Sequence, residues 1–329
     1  MNATHTRPPS PLLGSADFAG RTRHHLTGEQ IQFFDESGYL ILRNWVTGDL
    51  LKRLQAAGQR WIEGGLAWGR EHLDIVGGDQ REGDYAFAKR PNGRVLFRAN
   101  YLHGKGEPAS LELLGSPMVL GPAESLCGKN FVPTYESMVF KMPGDGEVIP
   151  WHQDAVFPRK YRVYNFDLYL DASKNGGGAL NVIPGTHKSA QDICTLAERH
   201  AWNPPGAITV EMEPGDVLLH DDMLVHGSPR VEGAALRRTI YFEFRPVEQI
   251  IDEGPWDHTW IKKRMRLVPI ALSRYQAAFP RASHFHWQAD TEFRPRGEAD
   301  EAAELRVVHE VHTAGTFCSA GSAFKPPGG

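Results

Sequence analysis

The chain has 329 residues, of which 41% are hydrophobic and 23% charged, with a formal net charge of −4 at neutral pH. A chain of this length can bury roughly three quarters of its unfolded surface. Its slight acidic balance predicts no nucleic-acid partner and no membrane partner, and no apolar run is long enough to cross a bilayer.

The first residues and the cysteines predict a cytoplasmic protein. The N-terminal residues lack the apolar core of a signal peptide. The cysteines are scattered without metal-type spacing and are expected to be reduced thiols: Cys127, Cys194 and Cys318.

Residues 1–25 are rich in Pro, Ser and Arg, and we expect them to form a disordered arm. Thr27 and Gln30 then have the spacing of a capping box, which predicts a short helix ending at Gly38 before a strand over 39–42. A second helix begins near Thr47. Its apolar residues recur at helical spacing and predict packing on the outer face of a sheet: Leu50, Leu51, Leu54, Ala57 and Trp61.

Residues 64–106 are polar and irregular in pattern, and we interpret them as a lid that folds over the active site. Several cations lie among aromatic residues there. They predict either recognition of an anionic substrate or a solvated basic surface, and the sequence does not choose between the two. The cations are Arg81, Lys89, Arg90, Arg94 and Arg98.

His152 and Asp154 are the first half of a candidate metal site. Residues two apart on a strand project to the same face, so both side chains can reach one ion. An isolated H-x-D pair is usually a surface feature. The next strand, over 163–170, places Asn165, Asp167 and Tyr169 on one face, which makes them candidates for lining an internal cavity.

A Gly-rich run over 175–178 lacks a following helix and predicts a turn rather than a phosphate cradle. Beyond it, His226 follows Asp154 after 71 intervening residues, in a strand entered from a turn over 213–216. Two imidazoles and one carboxylate form the facial triad that holds non-heme Fe(II) with one side open. Taken alone, His226 is equally a buried histidine bonded to the backbone.

Arg237 follows His226 after ten residues and is itself followed by Arg238. Strand parity assigns Arg238 to the apolar face with Ile240, Phe242 and Phe244, and Arg237 to the polar face. A guanidinium on the polar face could grip a carboxylate of 2-oxoglutarate whose other end chelates iron. Lys141, Ser228 and Gln153 are further candidates for contact with this cosubstrate.

The segment after the barrel strands contains a helical stretch over 256–274, and we expect a loosely ordered tail over 294–329. His220 and Asp222 lie just before His226. By parity they share its face, and we interpret them as lining the cavity or its mouth, with an additional metal ligand as the alternative.

Several motifs together resemble the phytanoyl-CoA dioxygenase family of Fe(II)- and 2-oxoglutarate-dependent oxygenases. Their order along the chain is more specific than any one of them, and the match runs from about residue 26 to about residue 246. They are Leu26-Thr27-Gly28-Glu29-Gln30-Ile31, Gly38-Tyr39-Leu40-Ile41-Leu42, Phe140-Lys141-Met142-Pro143-Gly144, His152-Gln153-Asp154, 175–188 with Pro184-Gly185-Thr186-His187, Pro214-Gly215-Asp216 and His226-Gly227-Ser228 with Arg237.

The resemblance implies a mainly β fold with flanking helices, the double-stranded β-helix, jelly-roll or cupin-like barrel. It implies one oxygenase domain over 26–293 with its barrel core at about 131–246. Iron would be held by His152, Asp154 and His226, and the distal carboxylate of 2-oxoglutarate by Arg237. Related halogenating enzymes lack the carboxylate ligand, so Asp154 favours hydroxylation or another oxidation.

The sequence thus predicts an oxygenase that uses Fe(II), 2-oxoglutarate and O2 to oxidise an unactivated C–H bond of a small molecule, releasing succinate and CO2. The chain is expected to be a monomer or a homodimer. Two alternatives stay open: a metal-dependent cupin-type enzyme that does not use 2-oxoglutarate, and a non-catalytic jelly-roll binding module.

Overall fold

The computed structural model describes residues 24–71, 83–90, 93–143, 148–158, 160–231, 233, 235–295, 305 and 316–317. The expected disordered arm lies almost wholly outside this part of the chain, as does most of the expected C-terminal tail.

Helices in the described ranges are α1 (Gly28–Ser37), α2 (Gly48–Glu71), α3 (Ala109–Leu114), α4 (Pro117–Cys127), α5 (Ile193–His200), α6 (Val247–Glu253), α7 (His258–Met265) and α8 (Leu267–Ala278). Short 3-10 helices lie at Leu102–Gly104 and Thr186–Lys188. None of these helices combines the length and the apolar character that a bilayer crossing needs.

Strands are β1 (Tyr39–Leu42), β2 (Tyr85–Arg90), β3 (Gly93–Asn100), β4 (Phe131–Lys141), β5 (Ile149–Gln153), β6 (Tyr164–Tyr169), β7 (Leu180–Val182), β8 (Ile208–Val210), β9 (Val217–Asp221), β10 (His226–Ser228), β11 (Arg237–Pro246) and β12 (Thr316–Phe317). They form a seven-stranded sheet in the order β1-β9-β6-β11-β4-β3-β2 and a five-stranded sheet in the order β12-β5-β10-β7-β8. Their pairings are antiparallel.

The two sheets face each other across an apolar layer. Tyr169 and Leu218 of the seven-stranded sheet are buried in one cluster with Leu180 and Val182 of the five-stranded sheet. We call the side of the seven-stranded sheet that looks toward the five-stranded sheet its inner face. This two-sheet arrangement with flanking helices confirms the predicted jelly-roll class.

Helix α2 covers the outer face of the seven-stranded sheet. Leu54, Ala57 and Trp61 lie in the same buried cluster as Met138 of β4 and Ile240 of β11. The apolar stripe of α2 therefore has the structural role that its spacing predicted.

The start of α1 is also as predicted. The Thr27 hydroxyl accepts from the backbone N–H of Gln30, whose side chain accepts from the backbone N–H of Thr27. The helix ends at Gly38, whose φ of 79° is a left-handed conformation that glycine adopts readily.

The prediction of an irregular stretch over 64–106 is wrong for much of its length. Helix α2 continues to Glu71, and β2 and β3 form a hairpin that extends the seven-stranded sheet. The polar residues of this hairpin concealed its strands, but one face of each strand packs on α2: a side chain placed at Gly65 would meet Leu96 of β3, and one placed at Gly69 would meet Phe87 of β2. Residues 72–82 lie outside the described ranges.

The prediction of three reduced thiols is wrong for Cys194, which is disulfide-bonded. Cys127 is a buried free thiol, and Cys318 lies outside the described residues. The scattered spacing of the cysteines gave no indication of this bond. The cysteine count therefore says nothing about the cellular compartment.

Candidate metal centre

Two histidines face each other on neighbouring strands of the five-stranded sheet. His152 on β5 is the register partner of His226 on β10, and the ring centroids are 4.1 Å apart. Nδ1 of His152 lies 2.8 Å from the carbonyl of Pro150, and Nδ1 of His226 lies 2.9 Å from the carbonyl of Leu224. A carbonyl accepts only from a protonated Nδ1, so each ring presents the lone pair of Nε2 to a metal.

Asp154 completes the cluster from the residue after β5. One carboxylate oxygen lies 3.3 Å from Nε2 of His152 and the other 3.7 Å from Nε2 of His226. The three ligand atoms lie within 4.8 Å of one another. The Asp154 side chain is 37% exposed, whereas those of the two histidines are 10% and 8% exposed. The cluster therefore has a closed side and an open side.

The charges at this cluster suit a divalent cation. Burial, reinforced by His152, lowers the pKa of His226 to about 3, so its imidazole is neutral at physiological pH. Burial opposes ionisation of Asp154, but the neighbouring histidines hold its pKa well below the usual value. Neutral imidazoles and an ionised carboxylate are the protonation states that metal ligation requires. The donor set of two nitrogens and one oxygen fits Fe(II).

A second histidine–carboxylate pair supports Asp154 from the seven-stranded sheet. Nε2 of His220 lies 3.2 Å from a carboxylate oxygen of Asp154, and its Nδ1 lies 2.7 Å from Asp167. Burial disfavours a charged imidazole, but Asp167 and Asp154 raise the pKa of His220 well above its usual value. Burial raises the pKa of Asp167 to about 6. His220 therefore connects Asp154 to the inner face of the sheet.

Placement of His220 and Asp222 on the inner side was predicted, but for the wrong reason. The sequence pattern predicted one strand continuing to His226. Instead β9 ends at Asp221 in the seven-stranded sheet and β10 begins at His226 in the five-stranded sheet. The chain crosses between sheets, so strand parity does not relate these residues. Asp222 accepts from Asn165 at 2.9 Å.

Arg237 lies on the inner face, as parity predicted. One terminal nitrogen donates to the carbonyl of Gly178, and it lies 3.3 Å from the Ser228 hydroxyl. Its Nε is buried without a hydrogen-bond partner, and so is the hydroxyl of Thr239 two residues along β11. Buried polar atoms almost always have partners. These two orphaned atoms are what a bound carboxylate or other polar ligand would satisfy.

Arg238 lies on the outer face and serves the scaffold. Its guanidinium binds Asp171 through two nitrogens, each at 2.8 Å, and donates to the carbonyl of Gln55 in α2 at 2.8 Å. The neighbouring arginines of β11 therefore face opposite sides of the sheet.

The remaining candidates occupy different positions. Lys141 is the register partner of Arg237 and donates to the carbonyl of Pro229 at 2.9 Å. Ser228 donates to the carbonyl of Gly178 at 2.6 Å, beside the Arg237 guanidinium. Gln153 is fully buried, and its amide bonds backbone groups of Ser189, Met223 and Gln191. These contacts anchor β5. They give no support to the prediction that Gln153 contacts the cosubstrate.

Comparison with known proteins agrees with this geometry. A model of the phytanoyl-CoA dioxygenase family matches residues 34–239. The peroxisomal phytanoyl-CoA dioxygenase of Mus musculus is 26% identical over 243 residues, which are 67% of this chain and 68% of the mouse protein.

Solved structures show the same fold. The crystal structure of EvdMO1 has a TM-score of 0.55 at 29% identity, covering 67% of this chain and 50% of that one. AviO1 from Streptomyces viridochromogenes Tue57 has a TM-score of 0.51 at 26% identity, covering 70% of this chain and 97% of that one. Because the family match covers more than half of its residues, the chain belongs to the phytanoyl-CoA dioxygenase family of Fe(II)- and 2-oxoglutarate-dependent oxygenases.

Proposed function

We propose that this protein oxidises an unactivated C–H bond of a small-molecule metabolite, most simply by hydroxylation, with conversion of 2-oxoglutarate and O2 to succinate and CO2. The carrying observation is the cluster of His152, Asp154 and His226, whose ligand atoms lie within 4.8 Å of one another. Family membership favours this function over a cupin-type enzyme without 2-oxoglutarate and over a binding module.

The residue roles follow from the contacts. His152, Asp154 and His226 would hold Fe(II), each histidine kept in one tautomer by its backbone carbonyl. Bound iron supplies the site at which a keto acid chelates and O2 is activated.

Arg237 is suited to the distal carboxylate of 2-oxoglutarate. Its contacts with Gly178 and Ser228 fix the orientation of the guanidinium and leave the buried Nε without a partner. Gly178 has a φ of 75°. A side chain there would be strained, and its Cβ would lie 2.6 Å from Val231 and 3.2 Å from Nζ of Lys141. We assign to Ser228 the role of positioning Arg237. Lys141 would line the same cosubstrate site beside Gly178.

Asp154 has a different environment from the other ligands. Its carboxylate accepts from His220 and faces the open side of the cluster. The apolar layer of Tyr169, Leu180, Val182 and Leu218 closes the space between the sheets. Substrate and cosubstrate would therefore approach over Asp154, and the packed layer would exclude water from behind.

Succinate production tests this proposal. The purified chain, supplied with Fe(II), 2-oxoglutarate and air, should form succinate even without a known substrate, at a low uncoupled rate. His152→Ala, Asp154→Ala and His226→Ala should each abolish it. His200→Ala, which alters an exposed histidine of α5, should leave it unchanged. Full succinate production by Asp154→Ala would contradict the ligand assignment.

The chain is proposed to act as one oxygenase domain over 26–293, as a monomer or a homodimer. Molecular mass in solution at working concentrations tests the second statement, and a stable higher oligomer would contradict it.

A further inference from the structure

The β2–β3 hairpin adds a polar residue to the inner face beyond the part that carries Arg237. In the register of β3 with β4, Arg98 pairs with Val139. Val139 in turn pairs with Thr239 of β11. Arg98, Val139 and Thr239 thus form one row across three neighbouring strands, and side chains of directly paired residues lie on the same face.

A β-bulge between β2 and β3 brings Arg98 into this row. Ala86 of β2 pairs with Arg98, but the next residue, Phe87, pairs with Leu96, so Phe97 has no partner in the register. A bulge of this kind places two consecutive residues of one strand opposite one residue of the other and re-aims their side chains.

The burial pattern shows where the side chains go. Phe97 forms a separate buried cluster with Ala86 and Ala88, away from α2. Phe87 and Leu96 lie on the α2 side, against Gly69 and Gly65. Phe97 and Arg98 therefore share the inner face, and Cζ of Arg98 lies 5.8 Å from the centroid of the Phe97 ring.

Arg98 lacks an anionic partner there. Its Nε is buried and has no hydrogen-bond acceptor, and none of the ion pairs among the described residues involves Arg98. Arg94, on the same strand, instead lies over the Phe87 ring at 5.4 Å and donates to the carbonyl of Gly69. A guanidinium has five N–H donors and no acceptor, so an oxyanion suits the partly buried Arg98 side chain, whose Nε has no acceptor.

We propose that Arg98 and Phe97 form a substrate subsite that binds a carboxylate or phosphate group, with the Phe97 ring against the adjoining apolar part of the molecule. This proposal rests on the proposed function and narrows the substrate to an anionic small molecule. The subsite is separate from the cosubstrate residue Arg237, because β11 and β3 lie two strand spacings apart, about 10 Å.

The carboxylate or phosphate group of the substrate would bind at β3, one strand in from the edge of the sheet, and the C–H bond to be oxidised would lie toward the metal cluster. Arg237 and Arg98 would then hold two different anions on one sheet. In a regular strand Phe97 and Arg98 would face opposite sides of the sheet. The bulge explains why both face inward.

Proton relaxation in the manganese form of the full chain tests the subsite. Mn(II) is loaded at the metal site, 2-oxoglutarate is saturating, and the ring protons of benzoate, phenyl phosphate and benzamide are observed. Wild type, Arg98→Gln, Arg98→Lys and Arg94→Gln are compared. Arg94→Gln is the matched control, since it removes the same charge from the opposite face of the same strand.

At least one oxyanion should show enhanced relaxation in wild type and Arg94→Gln, with an apparent affinity about tenfold weaker in Arg98→Gln because a charged hydrogen bond is lost. Arg98→Lys should recover part of it. Benzamide should bind weakly to every variant. Enhancement of benzoate alone identifies a carboxylate substrate, and enhancement of phenyl phosphate alone identifies a phosphate.

Equal relaxation enhancement in Arg98→Gln and wild type would overturn the subsite. So would benzamide affinity equal to that of benzoate and phenyl phosphate, or the absence of binding of either oxyanion to wild type. Thermal unfolding and calorimetric 2-oxoglutarate binding are measured on each variant. If wild type did not bind 2-oxoglutarate, the proposed function would be contradicted. Intact 2-oxoglutarate binding without dependence on Arg98 would contradict only the subsite.

Discussion

His220 is the best-defined contact of the candidate metal ligand Asp154. It lies between Asp154 and Asp167 with contacts of 3.2 and 2.7 Å. Partners of this kind orient a ligating carboxylate, and their loss typically weakens metal binding.

We therefore expect His220→Asn to lower the affinity for Co(II) or Fe(II) by about 10- to 100-fold, because Asp154 loses its support from the inner face. Metal titration with visible absorption of Co(II) measures it. His103→Gln, which alters a buried histidine outside the cluster, is the control. Unchanged metal affinity in His220→Asn would contradict this role.

The two adjacent arginines of β11 allow a paired test. Arg237→Gln should raise the KM for 2-oxoglutarate at least about tenfold, since a charged hydrogen bond is lost. Arg238→Gln should leave that KM unchanged and lower the free energy of unfolding, because Asp171 and α2 lose their partner. The reverse result would show that the inner and outer faces are misassigned.

At the scale of residues, the sequence predicted the parts that local geometry determines. The H-x-D spacing predicted that His152 and Asp154 share a face, and the alternation of β11 predicted that Arg237 rather than Arg238 lies on the inner face of the sheet. The link from Asp167 to His220 depends on the register of β6 with β9, which no local pattern encodes. Arg98 was noticed only as one of several cations, because a bulge in the register decides which way it faces.

At the scale of elements, strand predictions failed where the chain changes sheet or where a strand is polar. The apparent strand from Leu218 to Ser228 divides into β9 and β10, which belong to different sheets. Helix predictions did better, because a capping box and an apolar stripe are local signals. Helix α2 is nevertheless longer than its obvious stripe.

Packing of α2 on the sheet gives a prediction with its own control. Leu54 is 0% exposed in the main core, whereas Leu66 of the same helix is 38% exposed. Leu54→Ala should lower the free energy of unfolding by about 2–5 kcal/mol through lost burial and the cavity left behind. Leu66→Ala should change it by no more than about 0.5 kcal/mol. Urea unfolding measures both, and equal effects would contradict the packing of α2.

At the scale of the whole molecule, the metal cluster joins distant parts of the chain. Its candidate ligands lie on or directly after strands of the five-stranded sheet, and His220 contacts Asp154 from the seven-stranded sheet. Strand β12 pairs with the strand that carries His152. The sequence predicted a jelly roll through its family resemblance, whereas the pairing of β12 and the disulfide bond of Cys194 depend on tertiary contacts.

Stability should depend on pH through His103, which is buried away from the metal cluster. Burial lowers its pKa from 6.5 to about 4, so its imidazole is neutral in the folded state. At pH 7.5 the His103 imidazole is neutral in both the folded and the unfolded state. Below pH 6.5 the imidazole becomes protonated in the unfolded state, but in the folded state it stays neutral until the pH approaches 4. The free energy of unfolding therefore falls as the pH falls through this window.

Between pH 7.5 and pH 4.5, wild type should lose about 2–3 kcal/mol more unfolding free energy than His103→Gln. Urea unfolding of both proteins at the two pH values measures the difference. An identical loss in the two proteins would show that His103 is not held neutral by burial.

Anaerobic absorption spectroscopy tests the central claim most directly. Fe(II) and 2-oxoglutarate added to the wild-type chain should give a visible charge-transfer band. The band should be absent with Asp154→Ala and should require a much higher 2-oxoglutarate concentration with Arg237→Gln. No band in wild type, or an undiminished band in Asp154→Ala, would contradict an iron site built by His152, Asp154 and His226.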